Sequence, residues 1–322
     1  MKRVEKILLA VGVLAFGLLA WKMPWPSVAW ALRSVGIGFI LIFAQEIVAH
    51  ILNAAGWAAA FLPEHRSMVP SFWRLLKLRI AGDGVHYLIP SALVAGEMAK
   101  ASMIGRDHPI ASRLSSLVVS KFTQVLAFAL VSAGSLWLIA SGRLSLQAFG
   151  GGRNAGMVLL GVLIILLIAL ELRAWRSGKD TGHKKPEPQG WRSVVKMVDQ
   201  DARVFLRRHP GLFLLSVLCF TLAYLWGAFE AYLIMRFLGL PVSVETALII
   251  ELLSASVDGV FFMVPAKAGT QEISKTAIFT ALGLPKTAGF AFGLIRHARE
   301  ILWALIGTAL YYDERRSITP RP

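Results

Sequence analysis

Charge is scarce in this chain. Of its 322 residues only 16% are Asp, Glu, Lys or Arg, against about 25% in soluble domains. Acidic residues are the scarcer kind, 19 against 34 Lys and Arg, which leaves a net charge of +15. Cysteine is nearly absent: Cys219 stands alone within an apolar run, which excludes an internal disulfide. Catalytic signatures are missing as well. There is no H-E-x-x-H, no G-x-S-x-G, no P-loop and no paired acidic cluster of the kind that holds two magnesium ions. The seven His are dispersed without metal-ligand spacing. No catalytic residue, metal ligand or cofactor is therefore expected. Nor does the basic surplus point to nucleic acid. The Lys and Arg lie between hydrophobic segments, where they orient a chain and meet anionic headgroups, and they form no aromatic-interleaved platform or zinc-finger spacing.

What the chain has is apolar length. Hydrophobic residues make up 56% of it, the mean hydropathy is +0.62, and several runs reach the roughly 20 residues that cross a hydrocarbon core as a helix. The reading is an all-α, polytopic integral membrane protein. Full crossings are expected at 7–25, 35–61, 112–140, 156–172, 211–236 and 286–311. The opening MKRVEK followed by ILLAVGVLAFGLLAW has no small-x-small cleavage site, so it is read as an uncleaved first helix. Two further segments, about 69–104 and about 244–284, are hydrophobic but interrupted by Pro, Gly and charge. The longest polar stretch, 173–210, is a Pro/Gly/Lys linker that runs into WRSVVKMVDQDARVFLRR. The helical spacing there fits either an amphipathic helix on the membrane surface, against anionic headgroups, or a connector packed on the protein. Basic residues place both termini, the 62–79 loop and 173–210 in the cytoplasm, with the 22–34 and 141–155 connections outside.

The two interrupted segments repeat each other. DGVHYLIPSALVAGEMAK, at 83–100, is followed 175 positions on by DGVFFMVPAKAGTQEISK, at 258–275, with Asp, Gly, Val, Pro, Glu and Lys in register. The same offset pairs Lys121 with Arg296, Ala129-Leu130 with Ala304-Leu305, and Gly36 with Gly211. The halves are then 1–141, with its hairpin at about 69–104, and 211–322, with its hairpin at about 244–284. The connection and helix at 142–172 belong to the second half, and 173–210 is the cytoplasmic linker. Three crossings per half make the halves inverted, a recurrent plan of secondary transporters whose discontinuous segments meet near the midplane. A duplicated scaffold is the bland alternative.

Pro90 and Pro265 should break each segment, with a new helix beyond, and Gly96 and Gly269 should allow close backbone approach. Helix starts inside a membrane offer unpaired N–H groups to a phosphate or carboxylate. Glu97 with Lys100, and Glu272 with Lys275, stand at i and i+3, so each pair could neutralise itself on one helical face. Lys267 and Gln271 complete the expected substrate-binding set. Asp83 and Asp258, each followed by Gly, are read as helix caps or turn acceptors, or as members of a proton relay. Glu46 and His50, with Asn53, share one face of helix 35–61 and could relay protons or make a hydrogen bond between helices. Arg296, His297, Arg299 and Glu300 open the last membrane helix and should face a cavity or snorkel, with Arg296 and Glu300 as further candidates for the proton relay.

The two hairpins resemble a known family, the integral membrane region of lysylphosphatidylglycerol synthases. VPAKAGTQE is similar to that family's VP-G-x-L-G-x-QE, matching at Val264, Pro265, Gly269, Gln271 and Glu272. IPSALVAGE is similar to the P-x-A-x-V-G-G-E of the hopanoid-biosynthesis-associated subgroup, matching at Pro90, Ala92, Val94, Gly96 and Glu97. Ala266, Lys267 and Ala95 depart from these patterns. The resemblance implies a flippase-like domain that moves a phospholipid, hopanoid or related lipid across the bacterial inner membrane. The chain ends soon after its last helix, so lysyl transfer is not implied and no enzyme activity is expected. An intramembrane lipid-modifying enzyme and a non-transporting partner of lipid-synthesis enzymes are the alternatives. Association into a homo-oligomer is left open by the sequence.

Overall fold

The computed structural model describes residues 24–64, 69–88, 95–104, 110–140, 191–260 and 269–318, with Leu18, Trp21, Val264 and Lys267 as single positions. Among these residues there are ten helices and no strand: α1 Trp25–Val35, α2 Gly38–Ala59, α3 Phe72–Leu88, α4 Ala95–Ile104, α5 Ile110–Ala140, α6 Trp191–Arg208, α7 Pro210–Phe237, α8 Val244–Val260, α9 Thr270–Ala281 and α10 Lys286–Ile318. Four of the segments expected to cross form helices, α2, α5, α7 and α10. The segment 156–172, most of 7–25, and the linker before α6 lie outside the described residues.

Helix α1 corrects the reading of 22–34 as a plain connection. Pro26 falls in its first turn, where a fixed φ and a missing N–H cost nothing, and Gly36, at φ +43°, stops it. Helix α6 packs on α5. Phe205 is fully buried, and the Ser115 hydroxyl donates to Asp201 Oδ2 at 2.8 Å. This is the geometry of a connector held against the protein.

Three described helices are long and apolar enough to cross a membrane: α2, α7 and the Arg113–Gly134 part of α5. On α7, Leu214, Leu218, Leu222, Leu225 and Phe229 are exposed at helical spacing, a stripe suited to lipid. Helix α10 has 33 residues and is about 50 Å long, but its middle is too charged to read as an apolar span. The other helices are shorter. With 10 and 12 residues, α4 and α9 measure about 15 and 18 Å, roughly half of a 30 Å hydrocarbon core.

Each short helix is the return arm of a broken hairpin. In the first, α3 ends at Leu88 and α4 starts at Ala95; in the second, α8 ends at Val260 and α9 starts at Thr270. Breaks therefore occur where expected, although Pro90 and Pro265 themselves lie outside the described residues. The arms of the first hairpin touch: a Cβ on Gly96 would stand 2.9 Å from the Gly82 carbonyl oxygen. Gly269 caps α9 in the left-handed region, at φ +75°, which an L side chain rarely adopts.

Contacts fix the directions. Helices α2 and α7 are antiparallel, since Gly38 meets Phe237, the Trp226 indole donates to the Gln45 carbonyl at 3.0 Å, and Gly56 meets Phe220. Helices α5 and α7 are parallel, with Thr123 and Ser216 hydroxyls 2.8 Å apart and Phe128 against Tyr224. Helix α10 is antiparallel to both α3 and α9. Arg74 bonds Glu314 at 2.9 Å while Gly84 lies against Ala304 and Thr308; Phe279 lies against Gly289, and Glu272 against Gly293. The hairpins thus enter from opposite ends of α10, and their breaks converge on its middle.

Lipid supplies no hydrophobic force between membrane helices, so close packing at small residues has to hold them. The tightest crossing is α3 on α10, where Gly307 sits directly on the Ile80 carbonyl and the Gly84 backbone. Gly307→Ala should push the two backbones apart and lower stability by about 1–3 kcal/mol. Gly134→Ala, which meets nothing within 4 Å, should leave stability unchanged or raise it slightly. Unfolding titrations in mixed micelles would measure both.

Candidate functional site

Helix α10 carries Arg296, His297, Arg299 and Glu300 within five positions. At the centre of a bilayer an ionised side chain costs roughly 2.5–3.5 kcal/mol on insertion scales, so these groups need partners. The structure supplies them from four other helices. Arg296 bonds Glu230 of α7 at 2.9 Å and also Glu251 of α8. Arg299 reaches Glu230 and, on α2, Glu46, each at 2.5 Å. His297 Nδ1 is 2.6 Å from Glu272 of α9. Glu300 accepts from Lys267 at 3.1 Å and from the Gln271 amide at 3.0 Å. The Gly227 backbone makes room for Glu251, whose Oε1 would lie 2.6 Å from a Cβ there.

The repeated charges form a second pattern. Lys100 bonds Asp83 at 3.1 Å, across the first hairpin, and Lys275 bonds Asp258 at 2.8 Å, across the second. Positions 175 apart thus make the same contact in both halves. Both lysines are buried, at 2% and 0% exposure, and Lys100 lies across α3 where Gly82 leaves it space. Asp83 also holds Arg79 at 2.8 Å, and Asp258 also holds Lys267 at 2.9 Å.

Two expectations need correction. Asp83 and Asp258 are not caps or turn acceptors; both stand inside helices, near the ends of α3 and α8, and pin the returning arms by ion pairs. The i, i+3 pairs also differ between halves. Lys100 does reach Glu97, at 3.3 Å, but Lys275 turns to Asp258 and Glu272 turns to His297. An i, i+3 pair on an exposed helix is worth only a few tenths of a kcal/mol, so a buried partner from another helix easily outbids it. Glu97 itself also binds Lys121 of α5 at 3.0 Å. Glu97 and Glu272 fall in the first turns of α4 and α9, so the carboxylates nearest those positive helix ends are the protein's own.

Of the expected substrate-binding set, Gly96, Glu97 and Lys100 gather at the first hairpin, and Lys267, Gly269, Gln271, Glu272 and Lys275 at the second. Lys267 is the one described non-glycine residue with positive φ, +52°. That strained backbone points its ammonium at both Asp258 and Glu300. Glu46 bonds across to α10 rather than along α2, and Asn53 turns back onto the Ala49 carbonyl. Sequence reasoning missed Glu230, Glu251 and Arg79. Lone carboxylates inside apolar runs, and an Arg four positions before Asp83, were the available signals.

A cavity of about 180 Å³ opens between α2, α3 and α10, lined by Glu46, His50, Ile80, Asp83, Gly84, Tyr87, Arg299, Glu300, Trp303 and Ala304. His50 packs on the Trp303 ring, centroids 4.6 Å apart, and the Trp303 indole donates to the Phe43 carbonyl at 3.1 Å. Among the described residues no group of three or more His, Cys, Asp or Glu side chains is arranged to hold a metal ion.

Compared with known families, the chain matches the one described as lysylphosphatidylglycerol synthase TM region over residues 6–307. It belongs to that family. No curated protein matches it, and no solved structure does. Membership in the lysylphosphatidylglycerol synthase membrane-region family makes this a lipid-related, helical membrane protein, and the match takes in both hairpins and the charged middle of α10.

Removing one partner of a buried ion pair leaves an uncompensated charge and costs about 3–5 kcal/mol. Asp258→Asn should therefore destabilise the protein by roughly that amount. Adding Lys275→Met should recover much of the loss, because Lys267 keeps Glu300. A double-mutant cycle read by unfolding in mixed micelles checks this.

Proposed function

We propose that this protein is a lipid flippase or lipid transporter of the bacterial inner membrane, with both termini cytoplasmic. It would move a phospholipid, hopanoid or related lipid past the charged centre where the two hairpins meet. The observation that carries the reading is the convergence of two half-length hairpins, entering from opposite ends, on the Arg296–Glu300 turn of α10. Broken helices at membrane depth are tolerated only where they are buried in protein or line a water-filled path. Family membership supplies lipid as the cargo class.

Chemistry of the site suggests the step. Lys100 and Lys275 are charged donors held by Asp83 and Asp258, each across one hairpin. A headgroup phosphate would replace the aspartate on its lysine and open the arm it pins, while the acyl chains stay in the bilayer along exposed apolar faces such as that of α7. The paired arrangement lets the same exchange occur from either side. Anionic headgroups would gather at the basic 173–210 segment. Transport rather than lipid chemistry is favoured by the lack of any catalytic motif in the sequence.

Scrambling of a fluorescent phospholipid in proteoliposomes tests the proposal. A charge-assisted hydrogen bond contributes about 1.5–3 kcal/mol, so Lys100→Met and Lys275→Met should each slow movement by about tenfold or more. Glu97→Gln and Glu272→Gln should also slow it. Wild-type rates in all four variants, at equal folded protein, would remove the hairpin charges from the mechanism.

A further inference from the structure

The groups around α10 do not balance. Glu46, Glu230 and Glu251 share Arg296 and Arg299, and Arg299 approaches Glu300 at 3.6 Å. Glu300 and Asp258 are joined by Lys267, and Asp258 holds Lys275. In this connected network five carboxylates meet four cations. A surplus buried charge is expensive, and the usual remedy is that one group neutralises. Glu230, 1% exposed, leaves Oε1 without a partner, and Arg296 and Arg299 each leave Nε without one, so the buried cluster is short of a charge and imperfectly bonded as it stands.

The cavity opens beside this network. Among the three glutamates that share the arginines, Glu46 lines it, and Glu230 and Glu251 do not. Glu300 lines it too but is fixed by Lys267 and Gln271, whereas Glu46 must share Arg299 with Glu230. His50, one turn along α2, lines the same space with nine-tenths of its surface buried. Its Nε2 has no hydrogen-bond partner, and its Nδ1 lies 4.0 Å from Asp83 Oδ2, beyond a direct hydrogen bond. A space of about 180 Å³ takes several waters. The charged groups facing Glu46 are Arg299, Arg296 and Glu300 of α10 and Glu230 of α7. Those facing His50 are Asp83 and Arg79 of α3, Lys100 of α4 and Arg299 of α10.

We propose that this cavity is a proton-loading site, in which Glu46 takes up one proton from cavity water and His50 relays it. The step converts a hydronium and a carboxylate into water and a carboxylic acid. Loaded, Glu46 yields Arg299 wholly to Glu230, and the tie between α2 and α10 loosens; unloaded, it restores that tie. A link between this exchange and lipid movement rests on the proposed function, but the protonation itself does not.

Infrared difference spectroscopy of the full chain in liposomes, titrated with pH, reads the site directly. A protonated-carboxyl band should fade as pH rises, vanish in Glu46→Gln, shift in Glu46→Asp, and persist in the surface variant Asp199→Asn. His50→Gln should keep the band but slow its response to a pH jump at least about tenfold. A pH-insensitive wild type, a band retained in Glu46→Gln, or a response that follows sodium instead of pH overturns the assignment. If the band behaves as expected, a scrambling rate indifferent to an imposed pH gradient overturns the coupling alone. Absence of any scrambling overturns the proposed function and leaves the proton site standing.

Discussion

A charge has no good place in hydrocarbon, and α10 puts Arg296, Arg299 and Glu300 where a membrane helix would ordinarily be apolar. The surrounding structure follows from covering them. Carboxylates arrive from α2, α7 and α8, in α2 and α7 as the single acid of a long apolar run, and the second hairpin brings Lys267, Gln271 and Glu272 to the same turn. Glycines stand where these elements must come close, at Gly227 beside Glu251 and at Gly293 beside Glu272. With no hydrophobic force to gather helices in lipid, this polar centre and those close backbones do much of the joining. The apolar exterior of α7 is left to the bilayer.

The repeat made much of this legible in the residues alone. Proline at matched positions located both breaks, and Gly96 marked the tight approach that was found, whereas the left-handed cap at Gly269 was not foreseen. Partner choice was hidden. Sequence spacing displays neighbours along one helix, so Glu272 and Lys275 looked like a pair. Buried partners come from elsewhere in the chain, and Lys275 finds Asp258 seventeen positions back, across the hairpin. Glu230 was overlooked because a single acid barely lowers the hydropathy of the run around it, and Glu251 because it lies outside the repeated stretch 258–275. Helix α1 was overlooked because 22–34 was read only as a connection between two crossings, whereas Pro26 falls in a first turn, where it starts a helix.

The two halves repeat their Asp–Lys contact but not its surroundings. Around the first pair stand Arg79 and Lys121, a basic shell in which cations outnumber acids. Around the second stand Glu300, Glu251 and Glu230, where acids outnumber cations. The cavity lies between these neighbourhoods, touched by Asp83 from one and by Glu46 and Glu300 from the other. The two hairpins thus repeat one contact in electrically opposite surroundings, and Lys267, held in a strained left-handed backbone, belongs to the acidic side.

At the crossing of α3 and α10, Gly84 and Gly307 bring two main chains into direct contact with no side chain between them. Such a joint permits rotation but little separation, so it works as a fulcrum. On one side of it, the Arg74–Glu314 and Lys77–Asp313 pairs fasten the base of the first hairpin to the end of α10. On the other lies the Leu88 end of α3, near the middle of α10. Any swing of α3 therefore turns about the glycines, and small displacements at its anchored start become opposite displacements at its far end.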